Sequence, residues 1–400
     1  MRGNHIKYSF FLVVFVCIFS QTTFAQQKVS DDYIKFVTGS LADKTAVILS
    51  LPLEDEMDSF TAALPETALH FVADNMPVVG NVPGMKELAA AAIPMLSIQS
   101  PEHADLLWDM FEFFGDDIIK TSVLSSFFEI VPSNKQFVLP YLGNLHTFVA
   151  ECIASSSYSA PACIQAVKLM GVIGDLSSFD LLFRIVYGKY DATLTEEATV
   201  ALNSVLPVSQ INLAKVMESE SVSMAEKKLL FSIVQKNQEI SPFLKADLAE
   251  KALSATIINT EDVSGISAVA VDLQLAAIGE IESSSWTRAS ATVAKFFPQA
   301  QKEFECGLIS EPEFIGIIAC LEKLATTQSV AALLDYLSAL NSLMATADGV
   351  CNIPTTVAVI NALGALGDKT AFDNLLYVTY LPYPEPVVAA ARNALAGLKW

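Results

Sequence analysis

The chain contains a copy of part of itself. Displaced by 193 residues, Ile164 to Leu206 lies on Val357 to Lys399 without a gap. Eleven of the 43 positions are identical: Gly171/Gly364, Gly174/Gly367, Asp175/Asp368, Phe179/Phe372, Asp180/Asp373, Leu182/Leu375, Tyr187/Tyr380, Tyr190/Tyr383, Ala198/Ala391, Ala201/Ala394 and Leu202/Leu395. Chance gives roughly two or three over such a window, so a shared structural unit is implied. Length alone, at 400 residues with 52% hydrophobic content, would suggest two or three globular domains with large cores. A repeat replaces that count with an array, in which each unit buries its apolar face on its neighbour.

Each copy reads as helix, tight turn, helix, loop, helix. In the second copy, Val357 to Leu363 and Leu366 set apolar side chains all round the first helix, as expected for a helix packed between neighbours. Gly367 supplies the left-handed residue that ends it. Asp368 and Thr370 cap the next helix, whose Ala371, Phe372, Leu375, Leu376 and Thr379 recur at three and four. Pro382, Pro384 and Pro386 break the chain before a last, alanine-rich helix from Val387 to Leu395.

Weaker copies fill the interval. Leu275 to Glu280 repeats the helix end and turn at Gly279, and Leu324 to Leu334 repeats it with Ala325 in place of the turn glycine. The turns at Gly279, Ala325 and Gly367 are 46 and 42 residues apart, and Met224 to Ala255 supplies a further helix pair. Before Cys163 the units are degenerate but helical: Met85 to Leu96, Ala104 to Phe114, Ile118 to Ile130 and Phe137 to Ile153.

Helix pairs of this length, with turns reading Gly171-Val172-Ile173-Gly174-Asp175 and Leu363-Gly364-Ala365-Leu366-Gly367-Asp368, resemble the HEAT family of armadillo-type repeats, and especially its bilin-lyase-like subgroup. The resemblance covers Pro161 to Leu206 and Ala268 to Leu398. It implies an all-α fold: an α-solenoid, a right-handed superhelix of antiparallel helix pairs with a concave face for partners. Long insertions at Ala154 to Pro161 and Met344 to Pro354 depart from the family pattern. The expected organisation is a leader over 1–25, degenerate helical repeats over 26–160, and HEAT-like repeats over 161–400 continuous with them.

The leader is read from a basic start (Arg2, Lys7), an apolar run from Tyr8 to Phe19, and small residues ending at Ala25. The run is too short to span a bilayer, and no later stretch is expected to do so, so the mature chain is expected to be exported, periplasmic or secreted. Its formal charge moves from −20 to −22 once Arg2 and Lys7 leave. Such a surface repels phosphate backbones, so nucleic acid is not an expected partner and a basic or neutral protein is. Loss of Cys17 leaves Cys152, Cys163, Cys306, Cys320 and Cys351. In an oxidising compartment Cys152 with Cys163, and Cys306 with Cys351, are the candidate bridges, with buried free thiols the competing reading.

No catalytic, metal or cofactor site is expected. His70, His103 and His146 stand in no metal-ligand spacing, and phosphate-loop, dinucleotide and nucleophile-elbow motifs are missing from the sequence. Glu54 to Asp58 lacks the spacing of a calcium loop, and Gly115-Asp116-Asp117 reads as a turn capping the helix that starts near Ile118. Asp175 and Asp368 recur with the fold, which points to capping. Tyr187, Tyr190, Tyr380 and Tyr383 are the candidate partner-binding residues, because Tyr is enriched in interface cores; packing between units is the plainer reading. The expected function is therefore a non-catalytic scaffold for another protein. An accessory lyase or chaperone-like protein, and a structural component of an envelope assembly, are the alternatives.

Overall fold

The structure is a computed structural model and describes residues 32–52, 62–79, 82–157, 159–258, 262–346 and 349–399. The expected leader and Glu54 to Asp58 lie outside the described residues. Among those residues the fold is all-helical, with no strand and only an isolated bridge between Asp368 and Lys399. The chain divides into two compact units, Met1–Ser204 and Val205–Trp400.

In the first unit residues 32–38 are helical, and the helices that follow are α1 (Leu41–Leu49), α2 (Leu64–Val79), α3 (Pro83–Ala92), α4 (Pro101–Phe113), α5 (Asp117–Val138), α6 (Leu142–Ala154), α7 (Pro161–Ile173), α8 (Phe179–Gly188) and α9 (Ala192–Val205). Their starts follow local chemistry. Ser40 and Asp43 form a capping box, and Pro83, Pro101 and Pro161 occupy first turns, where a missing N–H costs nothing. Within the expected Gly115-Asp116-Asp117 turn, Asp116 is the residue that caps α5, through Ile118 N–H at 3.0 Å. The division between Ile118–Ile130 and Phe137–Ile153 falls differently from expectation. Pro132 breaks the hydrogen-bond ladder, Asn134 leaves the helical region (φ −143°, ψ 57°), and the chain regains α5 up to Val138 before a 3₁₀ turn leads into α6. One stretch here, residues 117–154, is long and apolar enough to cross a membrane by length and composition, which corrects the expectation that none is. It is α5 and α6 in succession, interrupted at Asn134, and α5 packs on α4 and α7.

The second unit contains α10 (Gln210–Glu218), α11 (Met224–Lys236), α12 (Pro242–Thr256), α13 (Ala268–Ser284), α14 (Ser290–Glu305), α15 (Glu311–Leu324), α16 (Thr327–Met344), α17 (Ile353–Leu366), α18 (Phe372–Val378) and α19 (Glu385–Gly397). Every helix from α10 to α17 packs on the next but one, and most also pack on the next. That ladder is the contact pattern of helix pairs laid on one another. It needs both faces of most helices to be apolar, which is why α13 and α17 carry buried residues on several sides. The turn expected at Gly279 is not there. Gly279 lies inside α13, which continues to Ser284 and ends with Ser285 in the left-handed conformation at φ 51°. The turn expected at Ala325 is there, and Ala325 ends α15 in the left-handed conformation at φ 52°.

The two copies of the repeat share one tight contact. A Cβ placed on Gly171 in α7 would lie 2.8 Å from the Cα of Ala201 in α9. On Gly364 in α17 it would lie 2.8 Å from the Cα of Ala394 in α19. Both members of each pair are among the identical positions. The glycine and the alanine are retained together because two backbones meet there, and neither has room for a larger side chain.

Candidate functional site

The repeated residues divide into those that build the turn and those that reach the surface. Asp175 and Asp368 belong to the first group. Asp175 accepts from Ser177 N–H at 2.8 Å and Ser177 O–H at 2.6 Å, and Asp368 accepts from Thr370 N–H and O–H, both at 2.8 Å. The bonds hold each carboxyl below the ordinary carboxylate value, chiefly through the Ser177 hydroxyl at Asp175 and the Thr370 amide at Asp368. In each copy the aspartate starts a one-turn 3₁₀ helix that delivers the chain into α8 or α18. The glycines before them differ. Gly367 is left-handed (φ 67°), whereas Gly174 ends α7 in extended backbone (φ −60°, ψ 158°).

The four tyrosines do not act as a set. Tyr187 and Tyr380 occupy equivalent places, at and just past the end of α8 and α18, and are 41% and 78% exposed. Tyr190 is half-buried, with its ring against Gly188. Tyr383 is buried, and its phenol donates to Asn341 Oδ1 at 3.1 Å, while the Asn341 amide donates to the Asn374 carbonyl. Burial pushes its pKa up. A ring so placed packs the core, so the binding role assigned to Tyr383 is replaced by a packing role and the exposed pair reduces to Tyr187 and Tyr380. The signal for this was Pro382 and Pro384, which turn the chain inward around Tyr383; the first copy has Lys189 and Asp191 instead.

All five described cysteines are free thiols, so neither expected bridge is formed. Cys152 at the end of α6 and Cys163 at the start of α7 are nonetheless adjacent. The Cys163 thiol donates to the Cys152 sulfur, which lowers the Cys152 pKa and raises that of Cys163. Cys306 is exposed at the end of α14 and Cys351 is half-buried before α17. Cys320 is buried in α15, and burial pushes its thiol up to about 12.

His103 and His70 both approach Glu66, at 3.4 and 3.8 Å, and His146 meets the Ser178 hydroxyl at 2.9 Å. Among the described residues no group of His, Cys, Asp and Glu is arranged to hold a metal ion. Trp108, Phe111 and Phe114 are buried while Phe113 is exposed: Trp108 stacks on Phe111 and Tyr141 with centroids at 4.4 and 4.9 Å, and Lys120 lies over the Phe111 and Phe148 rings.

Three buried charged side chains were not singled out from the sequence, because nothing in their neighbours' order marks them as buried; Lys44 in α1 is one, and its ammonium donates to the Phe36 and Val37 carbonyls. Glu303 in α14 is fully buried. Its Oε1 accepts from Gln274 and Gln299 at 3.1 and 2.8 Å, and Gln299 in turn ties down the end of α12 through the Thr256 carbonyl and Ile258 N–H. Burial raises its pKa against those two bonds. Lys227 in α11 is the third, 3% exposed. Compared with known proteins, the chain matches no family model, no curated protein and no solved structure.

Proposed function

We propose that the protein is an exported α-solenoid of the HEAT type that holds another protein without turning it over. One observation carries the reading: tyrosine stands exposed at the same place in both copies of the repeat, although packing would be served better by burying it, as happens at Tyr383. Tyr brings a large apolar ring and a hydroxyl to a partner at low entropic cost, which suits an interface centre. The next-but-one ladder of α10 to α17 supports the solenoid part, since stacked pairs bury a continuous core and leave long faces free. The leader-like start and the mature charge of −22 support export and a neutral or basic partner.

The test is retention of envelope proteins on the mature chain from Gln26, followed by the same experiment with Tyr187→Ala and Tyr380→Ala combined. The expected result is a stoichiometric partner that the double variant, melting as the parent does, no longer retains. Recovery of the bait alone, or a partner indifferent to both changes, overturns the scaffold reading.

A further inference from the structure

The second unit contains a cavity of about 620 Å³, between α10, α11, α12 and the turn into α14. That is within the range of small-molecule sites, roughly 300–1,000 Å³. Its wall carries four carboxylates, Glu218, Glu220, Asp247 and Glu250, against three cations, Lys227, Lys251 and Arg288. Two of the cations are occupied. Lys251 bonds Glu218 at 2.5 Å and lies in the field of Asp247 and Glu250 as well, so one ammonium is shared among three carboxylates. Arg288 lies over the Trp286 ring at 5.2 Å, and Trp286 N–H donates to Glu250 at 2.9 Å.

Lys227 is different. It is 3% exposed, and among the described residues its ammonium makes no hydrogen bond or ion pair; Glu220 acts on it only from a distance. It also sits in the first turn of α11, where the helix dipole disfavours a cation. Burial lowers its pKa. Burial and the helix dipole therefore both disfavour its charged form, and among the described residues only the distant Glu220 carboxylate offsets them.

We propose that this cavity binds a small zwitterion with surplus positive charge, of the class of a basic dipeptide, with its carboxylate on Lys227 and its cationic groups among Asp247, Glu250 and Glu220. The charge count agrees. One carboxylate in excess on the wall is neutralised by a ligand carrying a carboxylate and two cationic groups. Val222, Met224, Ala255 and Ile257 offer apolar surface for its carbon skeleton. The inference does not depend on the tyrosines, so its failure and that of the scaffold reading are separate.

The test is calorimetric titration of the mature chain with the dipeptide Ala-Arg, its C-terminal amide, and Ala-Ala. One site per chain is expected for Ala-Arg, with affinity at least about tenfold weaker for the amide, because a charge-assisted bond to Lys227 is lost. Ala-Ala is expected to bind at least about fivefold more weakly than Ala-Arg. Lys227→Met keeps the buried stem and removes the charge at the cavity wall. It is expected to melt at or above the parent temperature and to lose Ala-Arg binding by at least about tenfold. Absence of saturable heat with low-millimolar Ala-Arg overturns the proposal, as does equal affinity for acid and amide or unchanged binding by Lys227→Met. The amide comparison uses the unaltered chain and decides the matter even where the variant fails to fold.

Discussion

The two copies of the repeat agree where helices touch and diverge where the chain leaves them. In both, α7 or α17 meets a third helix through a glycine facing an alanine, and an aspartate caps the 3₁₀ turn between. Beyond the second helix they part. α8 has 10 residues and ends on Lys189 in the left-handed conformation, while α18 has 7 and gives way to a proline-rich loop that buries Tyr383. A repeat thus retains what its interior cannot vary and lets the loops, which meet solvent or a neighbouring unit, take different courses. Equivalent residues are then not equivalent sites: Tyr190 and Tyr383 share a register and not an environment.

The sharpest break should come at those two tyrosines. Tyr383→Ala removes a buried ring and leaves the Asn341 carbonyl oxygen without its donor, an expected loss of about 3–5 kcal/mol by chemical denaturation. Tyr190→Ala, from a half-buried position, is expected to cost less than half as much, at most about 2 kcal/mol. Equal losses would mean that the two loops bury their tyrosines alike.

The shared contact predicts the reverse, a matched effect. Gly171→Ala and Gly364→Ala each force a methyl against a helix backbone and should destabilise by about 1–3 kcal/mol. Gly279→Ala, inside α13 with open space around the added methyl, should stabilise by about 0.5–1 kcal/mol. The same substitution then changes sign with its surroundings, and a stabilising Gly364→Ala would remove the close approach as the reason for the repeat's glycine.

Smaller again is the cap. Asp175→Ala and Asp368→Ala should each cost about 1 kcal/mol at neutral pH. Because both carboxyls lie below their ordinary value in the folded chain, their contribution is present above 3.8 and is lost as pH falls through the folded value. The difference from the parent should therefore shrink on acidification, and a difference that grows would contradict the capping role. Smallest is the exposed pair: Tyr187→Ala and Tyr380→Ala should change stability by no more than about 0.5 kcal/mol. A larger loss would show that these rings pack and would remove the observation on which the scaffold proposal rests.

Much of the helical order was legible in the sequence. The caps at Asp175 and Asp368, the capping turn before Ile118, the left-handed Gly367, the turn at Ala325 and the last helix after the prolines were all placed by short-range rules. The misplacements have physical causes. Gly279 reads as a turn because glycine so often ends a helix, yet α13 has apolar residues on both sides of it and tertiary packing carries the helix on to Ser284. The fate of Tyr383 and the burial of Lys227 were not legible, since each depends on residues distant in the chain, Asn341 for one and the walls of α12 and α14 for the other.

By itself, then, the sequence determined the helical class, the repeating unit and the residues that cap its turns, because periodicity, capping and backbone preference act within a few residues along the chain. Only the tertiary structure decided which repeated tyrosines are surface and which are core, that the five described cysteines stand as free thiols, and that Lys227, at the wall of a cavity, makes no ion pair among the described residues. Those are properties of surroundings assembled from distant segments, and burial and charge pairing are set there.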